Sequence, residues 1–257
     1  MKKILTAVFL FFLAISLSSC ARAPVRPVMT TPVPSTTPGL RNVILPPSAP
    51  AGRCDIVHVV APGETVWRIS KMYDVEIKDI VRANNLKDQN SLEMGQRLSV
   101  PRACPVKPVI TLYPSNKWKY IIIHHSATDA GGALQFHKGH TQKGWQSLGY
   151  DFVIDNGTSG KGDGQIETSP RWLKQQDGAH CKAAGMNSKA IGICLVGNFN
   201  KDSVSKKQMD SLVSLVRQLK QYYNISRKNI LGHGQVEGAQ TECPGKNFPW
   251  KTFWSAL

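Results

Sequence analysis

Hydrophobic positions in the second half of this chain follow two periods. Tyr120-Ile121-Ile122-Ile123-His124 is an unbroken, mostly β-branched run, which predicts a strand buried on both faces. Residues 149–154 and 190–197 predict two more strands of the same kind. Over 205–223 the period changes to that of a helix, with Met209, Leu212, Val213, Val216, Leu219 and Tyr223 on one stripe. A helix over 131–143, a short strand over 229–231 and a closing helix over 250–257 complete the pattern. Strands interleaved with helices predict an α/β architecture, a mixed central sheet flanked by helices.

The first half is built on a smaller scale. From 58 to 101 the pattern predicts a strand, a Pro62-Gly63 turn, a helix capped by Thr65, a second helix over 79–86 and a closing strand, in the order βααβ. Trp67, at the start of an amphipathic helix, is expected in the core rather than as a sugar-stacking platform. Two proline-rich stretches flank this unit. Residues 21–53 are rich in Pro, Thr, Ser and Val without an apolar period and predict an extended tether; 105–116 predict a second, shorter linker. The expected division is therefore 1–20, 21–53, 54–104, 105–116 and 117–257.

Residues 1–20 read as a secretory leader: Met1-Lys2-Lys3, then an apolar stretch over 4–17 that is short for a membrane span. It ends in Leu17-Ser18-Ser19-Cys20, which resembles a bacterial lipobox. That resemblance implies lipidation of Cys20. Ala21 in place of Asp then favours the outer membrane, with the protein facing the periplasm. The net charge of +15 calls for an anionic partner. No RNA-binding signature or aromatic–basic alternation points to nucleic acid. Export also bears on the six cysteines, because the envelope is oxidising. Cys54 and Cys104 bracket the βααβ unit and are candidates for a disulfide; Cys194, inside a strand, is expected as a small buried hydrophobe rather than a partner for Cys181.

Candidate chemistry lies in three separated residues: His124 at a strand end, His233 after another short strand, and Cys243 ten residues later. Two imidazoles and a thiolate suit zinc, and three protein ligands leave a position open, the arrangement of a hydrolytic site. Spacing alone does not separate such ligands from hydrogen-bonded structural histidines. His125 points to the other face of its strand. His137 and His140, at i, i+3, are expected on a solvated helix face rather than at a second metal site.

Two resemblances sharpen this reading. Residues 58–101 resemble a LysM domain, with Pro62-Gly63-Glu64-Thr65, Trp67, Ile69, Asn84-Asn85-Leu86 and Gly95-Gln96-Arg97-Leu98-Ser99-Val100-Pro101. The resemblance implies binding of N-acetylglucosamine-containing glycans between loops 63–66 and 87–92. Residues from about 118 to 257 resemble the zinc amidases that include peptidoglycan recognition proteins and amidase-type phage lysozymes. The matching blocks are Ile121-Ile122-Ile123-His124-His125-Ser126, Gly144-Trp145 through Ile154, Gly178-Ala179-His180, Asn187-Ser188, Ile191 through Phe199, Gly232-His233 and Thr241-Glu242-Cys243-Pro244-Gly245.

By that resemblance His124, His233 and Cys243 are ligands of Zn2+, Tyr150 and Thr241 are catalytic auxiliaries, and His180 and Asn187 line the substrate groove. The implied reaction is hydrolysis of the amide between N-acetylmuramic acid and L-alanine. One branch of the family has glutamate where this chain has Cys194, lysine at Thr241 and aspartate at Cys243; the chain is closer to the tyrosine-dependent branch. The interval from His233 to Cys243 is longer than in typical recognition proteins, and the glycine-rich stretch 157–164 reads as an enlarged hairpin without an assigned role. The expected protein is a monomer that meets peptidoglycan through both modules and the membrane through its lipid. The rival readings are a non-catalytic peptidoglycan receptor or tether and cleavage of a different bond, although no paired-carboxylate motif for glycosidase chemistry is recognisable.

Overall fold

The computed structural model describes residues 39–45, 52–104 and 106–257. The leader, Cys20 and most of the proposed tether lie outside the described residues. The elements are β1 (Arg41–Ile44), β2 (Cys54–Val59), α1 (Val66–Tyr73), α2 (Ile77–Ala83), β3 (Arg97–Ala103), β4 (Val109–Leu112), β5 (Tyr120–His125), α3 (Ala133–Gln142), β6 (Phe152–Asn156), β7 (Asp163–Thr168), α4 (Pro170–Leu173), β8 (Ala190–Leu195), α5 (Lys206–Tyr222), β9 (Ile230–Gly232) and α6 (Trp250–Ala256).

The larger module has a five-stranded sheet in the order β7-β6-β8-β5-β9. β5 runs parallel to β8 and β9, β6 runs parallel to β8, and only β7 is antiparallel, paired with β6 through a hairpin. Alternation sorts the side chains of β5: Ile121 and Ile123 enter the main core with Leu212, Val216 and Leu219 of α5, whereas Ile122 packs on the opposite face with Met186 and Val236. The predicted mixed sheet flanked by helices is present. Helix α5 begins with a capping box, Ser205 and Gln208 each satisfying the other's backbone N–H.

The smaller module has the predicted βααβ order, with β2 and β3 paired antiparallel and the Thr65 hydroxyl accepting from the Arg68 N–H at 3.2 Å. Trp67 departs from expectation and is 42% exposed. The buried stripe of α1 runs through Val66, Ile69, Met72 and Tyr73, which leaves position 67 outside it. Cys54 and Cys104 are free thiols rather than a disulfide: Cys54 is exposed, and the Cys104 Sγ turns towards the Asp74 carboxylate at 3.9 Å.

Both stretches read as linkers contain strands. β1 and β4 pair antiparallel, from Arg41 opposite Leu112 to Ile44 opposite Val109. Their alternation is two-sided: Val109 packs into the core of the βααβ module, and Ile110 and Leu112 into that of the α/β module. A strand shared by two cores cannot act as a free tether, and the described residues fall in one compact unit.

Polar groups reinforce this junction. Arg68 of α1, buried, donates to the Val109 carbonyl and, at 3.3 Å, to the Thr168 hydroxyl. The glycine-rich hairpin acquires a role here, because Lys161 reaches back to the Val59 carbonyl at 2.9 Å and pairs with Glu167 at 3.1 Å. On the other side Glu64 is bonded to the His58 Nε2 at 2.7 Å and to the Ala61 N–H at 2.6 Å. Burial pushes the Glu64 carboxyl up, but His58, Lys161 and the Ala61 amide outweigh it and hold the pKa at about 2, below the ordinary 4.5.

A carboxyl depressed on folding stabilises fully above its unfolded pKa, and that stability is lost as pH falls towards the folded value. Wild type is therefore expected to lose a component of up to roughly 3 kcal/mol between about pH 5 and pH 2 that Glu64→Gln lacks. Denaturant unfolding of both proteins across that range measures it; parallel curves would contradict the role given to Glu64.

Candidate metal centre

The parallel strands end on one edge of the sheet, where α/β proteins place their ligands. His124 is the penultimate residue of β5, opposite Cys194 of β8 in the parallel register. His233 directly follows β9. Cys243 lies on the loop leading to α6 and closes the cluster: one donor atom each from His124, His233 and Cys243 lies within 4.8 Å of the others.

Local sequence explains why these residues can meet. His233 stands between two glycines with no room for side chains. A Cβ on Gly232 would lie 2.7 Å from Pro244 Cδ, and one on Gly234 would lie 2.3 Å from the Thr241 carbonyl oxygen. The long loop returns so closely that the Gly234 N–H donates to the Cys243 carbonyl at 2.7 Å. The insertion between His233 and Cys243 thus leaves the two residues adjacent.

Neighbouring groups hold the donors in place. His124 Nδ1 lies 3.6 Å from Cys243 Sγ, while its Nε2 lies 3.1 Å from His180 Nδ1. The His125 N–H donates to the Cys243 sulfur at 3.3 Å, and the His125 ring, on the other face, accepts from the Phe199 N–H at 3.1 Å. Burial, with His180, His233 and His125 close by, drives the His124 pKa well below the usual imidazole range. Burial also lowers His233. It pushes the Cys243 thiol up to about 12 despite the His125 N–H. Two ring nitrogens and one sulfur converging in this way form a donor set that fits zinc.

Tyr150 stands beside this cluster, its ring centroid 5.2 Å from that of His124. The Cys194 sulfur beside it, burial and the Cys243 sulfur together raise its pKa well above the ordinary value. Cys194 is the buried strand residue expected, with an added contact to the tyrosine that sequence did not foretell. Thr241 is exposed at the mouth, and its Oγ1 accepts from the Cys243 N–H at 3.2 Å.

Two assignments change. The His180 side chain is fully buried behind His124 and touches that residue rather than lining an open groove. Asn187 holds the segment that carries it: its Oδ1 accepts from the Cys181 N–H and its carbonyl from the Gly178 N–H, both at 2.8 Å. The physical reason is Gly192, which leaves space over β8 that the imidazole fills. His137 and His140 are also not simply solvated. Their Nδ1 atoms accept from the Leu148 and Gly149 N–H groups at 3.3 and 3.0 Å, fixing the backbone just before Tyr150. Trp145, 39% exposed, packs on His140 at 4.5 Å.

Asp151 escaped the sequence reading. It is fully buried, accepts from the Gly192 N–H at 2.8 Å, and burial lifts its pKa to about 7 although that amide opposes the shift. A charged residue inside the apolar run of 149–154 was the available signal.

Comparison with known proteins agrees with the geometry. The family described as N-acetylmuramoyl-L-alanine amidase matches residues 114–246, and the LysM domain matches 58–101. Peptidoglycan-recognition protein SC2 of Drosophila melanogaster is 33% identical over 143 residues, covering 52% of this chain and 71% of that protein. An endolysin of Klebsiella phage KP32 is 30% identical, covering 52% of this chain and 83% of its own length. A solved N-acetylmuramoyl-L-alanine amidase, LysC from Clostridium intestinale, is 34% identical over 55% of this chain and 87% of its own, with a TM-score of 0.45. The chain belongs to the N-acetylmuramoyl-L-alanine amidase family and carries a LysM domain ahead of the family's domain.

Proposed function

We propose that this protein hydrolyses the amide between the lactyl group of N-acetylmuramic acid and L-alanine in peptidoglycan, with zinc held by His124, His233 and Cys243. The observation that carries the reading is the convergence of these three donors within a domain of this family. When bound, zinc supplies Lewis-acid polarisation of a carbonyl and acidification of water. The chain's own groups do the rest. Tyr150 keeps its proton at neutral pH and stands beside His124, suited to orienting a water or steadying charge on oxygen. The Thr241 hydroxyl spends its acceptor on the Cys243 N–H and has its own proton left to donate to a developing oxyanion.

The LysM module would supply glycan affinity. Fixed to the amidase module through β4, Arg68 and Lys161, it would present the amidase to stem peptides of the strand it holds. The chain's positive charge suits the carboxylates of those peptides. We propose further that Cys20 carries a lipid that anchors the protein in the outer membrane facing the periplasm, acting as a monomer. Cys20→Ala should then move the protein from the membrane to the soluble fraction, and an unchanged distribution would exclude the anchor.

Purified sacculi incubated with the full chain should release peptides with new L-alanine amino termini, identified by mass spectrometry. Chelation should abolish the release. In the same assay Tyr150→Phe should lower kcat by about 10²-fold with zinc content unchanged. Binding of sacculi without cleavage by zinc-loaded protein would favour the receptor reading; release of other fragments would move the reaction to another bond.

A further inference from the structure

His180 makes two contacts whose directions can be read from chemistry alone. Its Nε2 lies 3.3 Å from the Ala190 carbonyl oxygen, and its Nδ1 lies 3.1 Å from His124 Nε2. A carbonyl only accepts, so His180 carries its proton on Nε2. In the neutral ring Nδ1 is then a bare acceptor, and it requires the His124 proton to sit on Nε2. That tautomer leaves a lone pair on His124 Nδ1, the atom 3.6 Å from Cys243 Sγ.

The surroundings confine the His180 ring. A Cβ on Gly192 would lie 2.4 Å from its Cδ2, and one on Gly178 would lie 2.5 Å away, so two glycines make the slot for the ring. The segment is tied down on both sides: Asn187 bonds Gly178 and Cys181, and the Ala179 N–H donates to the Gly149 carbonyl at 2.9 Å. Asp151 Oδ2, at 3.9 Å from His180 Nε2, is beyond hydrogen-bond distance and is occupied by the Gly192 N–H, which leaves the Ala190 carbonyl as the partner of the Nε2 proton.

We infer that His180 is a positioning residue: through the relay from the Ala190 carbonyl to His180 to His124 it fixes the tautomer and ring orientation that turn His124 Nδ1 towards the metal. The inference rests on reading the cluster as a metal site, and it assigns His180 no contact with substrate. Outer-shell partners of this kind typically change metal affinity by about 10- to 100-fold when removed.

The test has one arm without metal and one with it. In the full chain stripped of metal, two-bond nitrogen–proton NMR correlations should show both His124 and His180 protonated at Nε2. Protonation of His124 at Nδ1 would overturn the inference, and this arm needs no substitution, so it decides even where a variant does not fold. Zinc affinity, read by competition with a chromogenic chelator, should fall about 10- to 100-fold in His180→Leu. His180→Asn places an amide oxygen near the lost Nδ1 and should recover most of that loss. Wild-type affinity in His180→Leu would overturn the inference. Zinc uptake by wild type that Cys243→Ala abolishes upholds the site itself, so an unchanged His180→Leu then counts against His180 alone. Failure of wild type to take up zinc would overturn the site, and the inference with it.

Discussion

Two imidazoles and a thiol, His124 and Cys243 buried and His233 half-buried, are packed with their donor atoms converging, and the α/β module is organised around that constraint. Burial makes each charged form expensive, which lowers the pKa of His124 and His233 and raises that of Cys243. Such a cluster has little to hold it together on its own. Its geometry is fixed from behind: the His125 amide on the sulfur, His180 on His124, and glycines on either side of His233 that admit the returning loop. On the proposed reading this arrangement would hold a cation, and metal affinity and local folding would then be linked.

The sheet makes the convergence possible. Because β5, β8 and β9 run parallel, His124, Cys194 and His233 reach the same edge although more than a hundred residues separate the first from the last. Alternation along β5 then divides the labour, sending His124 to the site face and His125 to the face where it accepts from Phe199. Much of this was legible in sequence: the three donors by their softness and flanking blocks, the helices by their stripes, the strands by their β-branched runs. The location of His180 was not. A histidine on a loop carries no periodicity, and the slot that receives it is made by Gly178 and Gly192, whose meaning appears only when a ring is seen filling their missing side chains.

The junction of the two modules was hidden for a different reason. Prolines around 101–114 and the polar composition of 21–53 suggest chain that cannot bury itself, yet Val109, Ile110 and Leu112 belong to two cores at once, and a strand shared in that way has no single polar face to reveal it. The glycine-rich hairpin has no role legible in sequence; in the fold Lys161 meets Glu167 and the Val59 carbonyl. Trp67 shows the converse error, in which an aromatic side chain suggests a core position although its place on α1 turns it to solvent. The consequence is mechanical: the LysM and amidase modules are docked by shared β-structure and buried charge rather than joined by a loose linker.

The central claim is that His124, His233 and Cys243 form one metal centre. X-ray absorption at the zinc edge of the full-length, zinc-loaded protein tests it most directly. A site of this kind gives one sulfur at about 2.3 Å and two imidazole nitrogens at about 2.0 Å, with the remaining position taken by a light atom. A shell of oxygen and nitrogen without sulfur would contradict it.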